Sequence, residues 1–232
     1  MTAPRCELRL GDWRDTMADE TCDALICDPP YSARTHEGQR TGDSIRAPTI
    51  GYAALTEADA LDIATSWSPR VRWWAAVFGD HASWAMHEAA WAAQGWMTFA
   101  PVIWLPDCPP PRMAGDGPAC AAEYIMVARP RHRMPSERMG SRPGRYDVRS
   151  RRGCEPAAGI AGQKADGGMR ALVRDYSLRG DTICDPFAGS GSTLLAARVE
   201  GRHSVGSELD PKHHAIAMRR LTAGWTPGLF AE

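Results

Sequence analysis

The chain has 232 residues, 44% of them hydrophobic and 24% charged, with a formal net charge of −1. That length suits one large domain with a sizeable core, and the composition excludes a disordered chain, a collagen-like repeat and a small disulfide scaffold. No apolar run approaches the ~20 residues that span a bilayer, and the first ten residues lack the hydrophobic stretch of a secretory signal, so a cytoplasmic protein is expected.

Short apolar runs alternating with helical patterns predict an α/β sheet. In chain order, strands are expected over Cys6–Leu10, Ala24–Cys27, Trp73–Phe78, Thr98–Trp104, Glu123–Ala128, Asp181–Cys184 and His203–Ser207. Thr56 and Asp59 form a capping-box pattern ahead of a helix over Ala58–Trp67. Asp80 opens an Ala- and Trp-rich helix that Gly95 closes, and a further helix follows near Thr193–Glu200. Asp210-Pro211 supplies a cap and a first-position proline for a last helix ending at Gly224. Ser32–Gly51 is polar and reads as a loop containing Thr35-His36. Residues 106–168 read as an irregular region inside a single domain, 1–232, because their Pro, Gly and Arg content sustains no period. The tryptophans Trp67, Trp73, Trp74, Trp84, Trp91 and Trp96 are assigned to the core, and His81 and His87 to helix surfaces. The seven cysteines include no Cys-x-x-Cys pair and are read as unpaired thiols, with no metal site and no disulfide.

Charge is unevenly spread. Of 27 basic residues, 25 are Arg, and nine of these fall within residues 129–152 against only two acids, Glu137 and Asp147. A surplus of seven positive charges on an otherwise acidic chain marks a local surface for an anionic partner.

Two constellations carry chemistry. Asp28-Pro29-Pro30-Tyr31 follows the strand-like Ala24–Cys27 and makes a rigid, non-helical ledge. Its prolines lack N–H groups, so backbone carbonyls, the Asp28 carboxylate and the Tyr31 ring suit a planar ring bearing an exocyclic amine. The second, Asp185-Pro186-Phe187-Ala188-Gly189-Ser190-Gly191-Ser192, lies between a strand and a helix. Its glycines permit close backbone approach to a ligand, and Glu208 at the end of the next strand can hydrogen-bond ribose hydroxyls.

Together these motifs resemble the amino-methyltransferases of DNA, which use S-adenosylmethionine. Asp28–Tyr31 matches that family's catalytic tetrapeptide and Asp185–Ser192 its cofactor motif. Gly11-Asp12 is similar to its amino-terminal Gly-Asp, and Gln163-Lys164 through Gly180-Asp181 to the stretch before its cofactor loop. Here the catalytic motif precedes the cofactor loop by about 150 residues, the permuted order of the family's beta class. The chain departs from the family pattern at Lys164-Ala165, where Lys-Pro is usual, and at Ser192-Thr193, where Thr-Thr is common.

The resemblance implies a seven-stranded, mostly parallel, Rossmann-like methyltransferase sheet, circularly permuted, with helices on both faces and the irregular Arg-rich segment as an insertion. It implies catalytic roles for Asp28, Pro29, Pro30 and Tyr31. Cofactor contacts are implied for Asp12, Trp13, Gln163, Lys164, Glu208 and Leu209 together with the loop Asp185–Ser192, with Lys164 assigned to the methionine carboxylate. Arg142, Arg145, Arg149, Arg151 and Arg152 are the expected DNA contacts. Methylation of the adenine N6 amine in DNA is the leading expectation, because Asp before Pro-Pro favours adenine in the family. Cytosine N4 on the same scaffold is the alternative, and a catalytically inactive DNA-binding subunit is a third. A bacterial or phage restriction–modification setting follows from the resemblance. A homodimer is left open.

Overall fold

The run Cys22–Cys27 is almost wholly apolar, as befits a strand covered on both sides. It forms β2, at the middle of the sheet. The computed structural model describes residues 4–33, 53–106, 118, 120–132, 134–138, 140–148 and 163–223. Thr35-His36, Gly224, Arg149, Arg151 and Arg152 lie outside the described residues, as does most of the expected loop after Ser32.

The strands are β1 (Cys6–Leu10), β2 (Cys22–Cys27), β3 (Val71–Gly79), β4 (Met97–Thr98), β5 (Val102–Pro106), β6 (Glu123–Arg129), β7 (Arg145–Val148), β8 (Thr182–Asp185) and β9 (His203–Glu208). The helices are α1 (Trp13–Thr16), α2 (Glu57–Trp67), α3 (His81–Ala93), α4 (Asp166–Tyr176), α5 (Ser192–Val199) and α6 (Pro211–Ala223). The sheet runs β1-β9-β8-β2-β3-β6-β5-β7, with β4 also beside β6. Among the described strands only β6 runs against the rest.

Strand alternation divides the core into two layers. Leu25, Cys27, Ala75, Val77 and Met126 face α1, α2 and α3 through Trp13, Ile63, Trp67 and Trp91. Ala24, Ile26, Ala76, Phe78, Ile125 and Val127 face α4 and α5 through Met169, Leu172, Val173 and Ala196. The caps form as their sequences dictate: Thr56 and Asp59 exchange both capping-box bonds, and Asp80 and Ser83 do the same for α3.

The sheet has nine strands where seven were expected, for two local reasons. Pro101 has no N–H to give a ladder, and it splits the expected Thr98–Trp104 strand into β4 and β5. Inside the expected irregular region, Arg145-Tyr146-Asp147-Val148 forms β7 beside β5, burying Tyr146 and Val148 and exposing Arg145 and Asp147. The expected irregular region ends at Gly168, yet α4 begins at Asp166 and buries Met169, Leu172, Val173 and Tyr176 along one face. Gly168 lets it sit close: a Cβ there would lie 2.5 Å from Trp104. His87 corrects another expectation. It is fully buried with Ser83, Ala90 and Trp91 on the inner face of α3, both ring nitrogens lack a hydrogen-bond partner among the described residues, and burial pushes its pKa down to about 4. Of the tryptophans assigned to the core, five are buried and Trp84 is partly so.

Gly206 in β9 shows how tightly the second motif is seated. A Cβ there would meet Leu194 at 2.8 Å, the Asp185 carbonyl at 3.0 Å and Ala188 at 3.1 Å. Gly206→Ala should therefore push the loop away from the strand and lose about 1–3 kcal/mol of stability. Urea unfolding should show a lower midpoint at unchanged slope, and an unmoved midpoint would contradict the tight seating.

Candidate active site

Parallel pairing of β2 with β8 sets Ala24 opposite Ile183 and Leu25 opposite Cys184. Asp28 and Asp185, which follow and end those strands, therefore leave the same edge of the sheet side by side. Pairing of β9 with β8 and β1 brings Glu208 and the Gly11-Asp12 turn to that edge as well. Open α/β sheets bind ligands at this edge, and both sequence motifs share it.

At the first motif, four side chains converge. The Lys164 ammonium donates to Asp28 Oδ2 at 2.7 Å and to the Tyr31 hydroxyl at 3.0 Å, and lies 2.8 Å from Glu123 Oε2. Tyr31 in turn donates its hydroxyl proton to the same Glu123 oxygen at 2.6 Å. Asp28 Oδ1 is buried and has no hydrogen-bond partner among the described residues. Burial pushes the Asp28 carboxyl above its ordinary range, with the Lys164 charge pulling against and the Glu123 charge adding to the rise. Burial also pushes the Tyr31 hydroxyl well up. For Lys164, burial favours the neutral amine, but the Asp28 and Glu123 carboxylates outweigh it and hold the ammonium above its usual range. Behind this corner, buried Asp80 accepts from the Ser32 N–H and hydroxyl with one oxygen and from Ala82 N–H and Ser83 N–H with the other. The chain just past Tyr31 is thereby fastened to the start of α3.

Lys164, expected at a cofactor carboxylate, stands in the acceptor corner beside Asp28, Tyr31 and Glu123. An ammonium has three N–H donors, and three oxygens of the acceptor corner already surround it. Gln163, half-buried, precedes it.

The second motif forms a tight turn into α5. Gly189 and Gly191 have φ of 50° and 78°, a conformation that side chains with a Cβ rarely adopt. Ala188 N–H donates to the Ser207 carbonyl, and Gly189 N–H donates to Glu208 Oε2 at 2.7 Å. Glu208 Oε1 accepts from Asp210 N–H at 2.8 Å. The carboxylate is thus oriented by backbone donors and only partly covered. Asp185 accepts from Phe187 N–H at 3.0 Å, and burial pushes its pKa up to about 7, the Thr193 and Phe187 bonds pulling the other way. Pro186 is buried, and Phe187 meets buried Trp13 edge-on at 6.2 Å. Asp12 caps α1 through Arg14 N–H and pairs with the Arg14 guanidinium. Leu209 is 68% exposed.

Two residues expected at the cofactor, Ser190 and Ser192, have side-chain partners within the chain. Ser190 and Ser192 are buried, and both hydroxyls accept from Arg220, which also pairs with Asp166. Arg220 clamps the loop from α6. Neither Arg220 nor Glu123 carried a sequence signal, because each reaches the site from a distant element and sits in an ordinary amphipathic or apolar context.

The Arg-rich segment is divided by the fold. Residues up to Arg142 cross the end of the sheet opposite the motifs, where Arg138 pairs with nearly buried Asp181 through two bonds of 2.7 and 2.8 Å. Arg142 donates to the carbonyls of Asp175, Gly140 and Arg138 and lies over Trp74 at 4.2 Å. Its guanidinium, expected at DNA, here binds this segment to α4. Arg145 is exposed and pairs with Asp147. β7 runs parallel to β5 and ends at Val148 on the motif-bearing side. Arg149, Arg151 and Arg152 follow it, outside the described residues.

A family model described as DNA methylase, of the N6/N4 type, matches residues 76–219. The Type II methyltransferase M.MthZI of Methanothermobacter thermautotrophicus is 51% identical over 50 residues, which cover 22% of this chain and 14% of that protein. The match thus spans well under a fifth of that curated relative's length. Among solved structures, the M1.HpyAVI–SAM complex superposes with a TM-score of 0.68 at 18% identity, covering 93% of this chain and 98% of that one. PvuII DNA methyltransferase, described as cytosine-N4-specific, superposes with a TM-score of 0.66 at 13% identity, covering 94% and 88%. At these identities the likenesses establish a methyltransferase-like α/β fold with a mostly parallel mixed sheet.

Proposed function

Because this chain belongs to the DNA methylase family whose model spans residues 76–219, we propose that it methylates the exocyclic N6 amine of adenine in DNA, using S-adenosylmethionine. The observation that carries this reading is Asp28 Oδ1, a buried acceptor with no partner among the described residues, beside the glycine loop. An amine N–H supplies the partner that this oxygen lacks, and leaving a buried acceptor unpaired costs about 1–3 kcal/mol.

The residues present fit the cofactor. The positive-φ glycines bring backbone close, Glu208 offers a fixed carboxylate to ribose hydroxyls, and partly buried Phe187 and exposed Leu209 offer apolar surface. Lys164 with Asp28 and Glu123 leaves one net negative charge, which favours a cationic ligand. When bound, S-adenosylmethionine supplies a methyl group made electrophilic by its sulfonium.

The chain's own residues then act on the amine. An adenine amine is a weak nucleophile because its lone pair is delocalised into the ring. Asp28 Oδ1 accepts one N–H and the Pro29 carbonyl the other, localising the lone pair. Tyr31 stacks on the extruded base. As the nitrogen becomes positive, Asp28 stabilises the charge and provides a carboxylate able to take the released proton. Positioning and fixed charge supply the acceleration. The chain order, with Asp28 before the glycine loop and β8 beside β2, supports a permuted, beta-class arrangement. A cytosine amine presents the same two hydrogens, and the cytosine-N4 fold neighbour keeps that product as the second reading.

Expression in a host lacking DNA methylation, followed by modification-sensitive sequencing, tests the proposal. N6-methyladenine at a recurring short sequence is expected; N4-methylcytosine would select the second reading, and unmodified DNA would reject both. Glu208→Ala should weaken S-adenosylmethionine binding roughly tenfold to a hundredfold, since a hydrogen bond to a charged group contributes about 1.5–3 kcal/mol. Unchanged affinity by calorimetry would remove Glu208 from the ribose site.

A further inference from the structure

Resting on that reading, we infer that Lys164 and Glu123 are positioning residues of the acceptor-amine site: the ammonium holds Asp28 by one carboxylate oxygen so that the other is presented to the amine. Lys164 is 7% exposed, and its three donors face Asp28 Oδ2, Glu123 Oε2 and the Tyr31 hydroxyl, at 2.7, 2.8 and 3.0 Å. A carboxylate gripped at Oδ2 loses its freedom to turn about χ2, and Oδ1 becomes the oxygen left to accept. Glu123 does two things at once. It balances the ammonium, and by accepting from Tyr31 at 2.6 Å it fixes the direction of the ring proposed to stack on the base.

The arrangement joins three separate elements: the turn after β2, the head of β6 and the segment before α4. Because β6 runs antiparallel to its neighbours, its first residue, Glu123, stands at the same edge where the parallel strands end. Besides these groups, Asp28 faces Asp185 from β8 and the Cys27 thiol from its own strand. Lys164 is the cation that acts on the Asp28 carboxylate, by charge and by hydrogen bond.

The two positioning residues bear opposite charges, so their removal moves Asp28 in opposite directions. Lys164→Met takes away the neighbouring cation and should raise the Asp28 titration midpoint by about 1–3 pH units. Glu123→Gln takes away a like charge and should lower it. The test is the pH titration of the Asp28 carboxyl carbon by ¹³C NMR, assigned with Asp28→Asn, in wild type and both variants. Alongside it, kcat for DNA and affinity for S-adenosylmethionine are measured. Lys164→Met should reduce kcat about a hundredfold, as misplacement of a reacting group does, and leave cofactor affinity within a few-fold. Rescue of part of the loss by Lys164→Arg is expected. Midpoints that stay at the wild-type value in both folded variants overturn the inference. So does a loss of cofactor affinity larger than tenfold in Lys164→Met, which would return Lys164 to the cofactor. Wild-type protein that leaves DNA unmodified counts against the proposed function, and the NMR midpoints still decide whether Lys164 and Glu123 govern Asp28.

Discussion

Asp28→Ala is expected to abolish methyl transfer while leaving S-adenosylmethionine affinity within a few-fold. The amine loses the acceptor that localises its lone pair, and the developing positive charge loses its nearest unpaired carboxylate oxygen. Removing one preorganised charge-stabilising group costs about 10²–10³ in rate, and loss of the proton acceptor adds to it. The variant should fold, because Lys164 retains Glu123 and Tyr31 and no buried ammonium is left unpaired. Single-turnover methyl transfer and calorimetry on the same preparation measure the two quantities. Near-normal turnover would remove Asp28 from the chemistry, and a parallel collapse of cofactor affinity would place it in the cofactor site instead.

The second large effect concerns the divided Arg segment. Changing Arg149, Arg151 and Arg152 together to Ala should flatten the dependence of log affinity on log salt by up to about three units, because each phosphate contact contributes about 0.9. The loss should be similar on unrelated duplexes, since backbone contacts carry no sequence information. Arg138→Ala should behave otherwise. It leaves Asp181 without the guanidinium that meets both its oxygens, so stability should fall by about 3 kcal/mol, with the salt slope unchanged. Salt titrations on two duplexes, with a denaturation curve for each variant, separate these outcomes. An unaltered slope in the triple variant would end the assignment of those residues to DNA.

What could be read along the chain is what short-range physics governs. Helix caps at Thr56 and Asp80 are three-residue patterns, and both formed. The apolar runs of β2, β3 and β6 alternate across two layers because side-chain direction in a strand has period two. Asp28–Tyr31 and Asp185–Ser192 were conspicuous because prolines and glycines impose their backbone regardless of context. Their location on one edge comes from the parallel pairing of β2 with β8. Where local patterns were weak, the reading failed. β7 has only four residues, and α4 opens on Gly167-Gly168, which conceals the Met169, Leu172, Val173 and Tyr176 face.

Only the tertiary structure decided which charges meet. Lys164 and Asp28 are 136 positions apart, and Tyr31 and Glu123 are 92 apart. No local rule couples such pairs. The same holds for Arg142: its charge was plain in the sequence, but whether it faces DNA or the carbonyls of its own chain depends on where α4 packs. Backbone conformation is set within a few residues. Electrostatic partnership acts through space, so it is settled only once the sheet order has brought distant strand ends together.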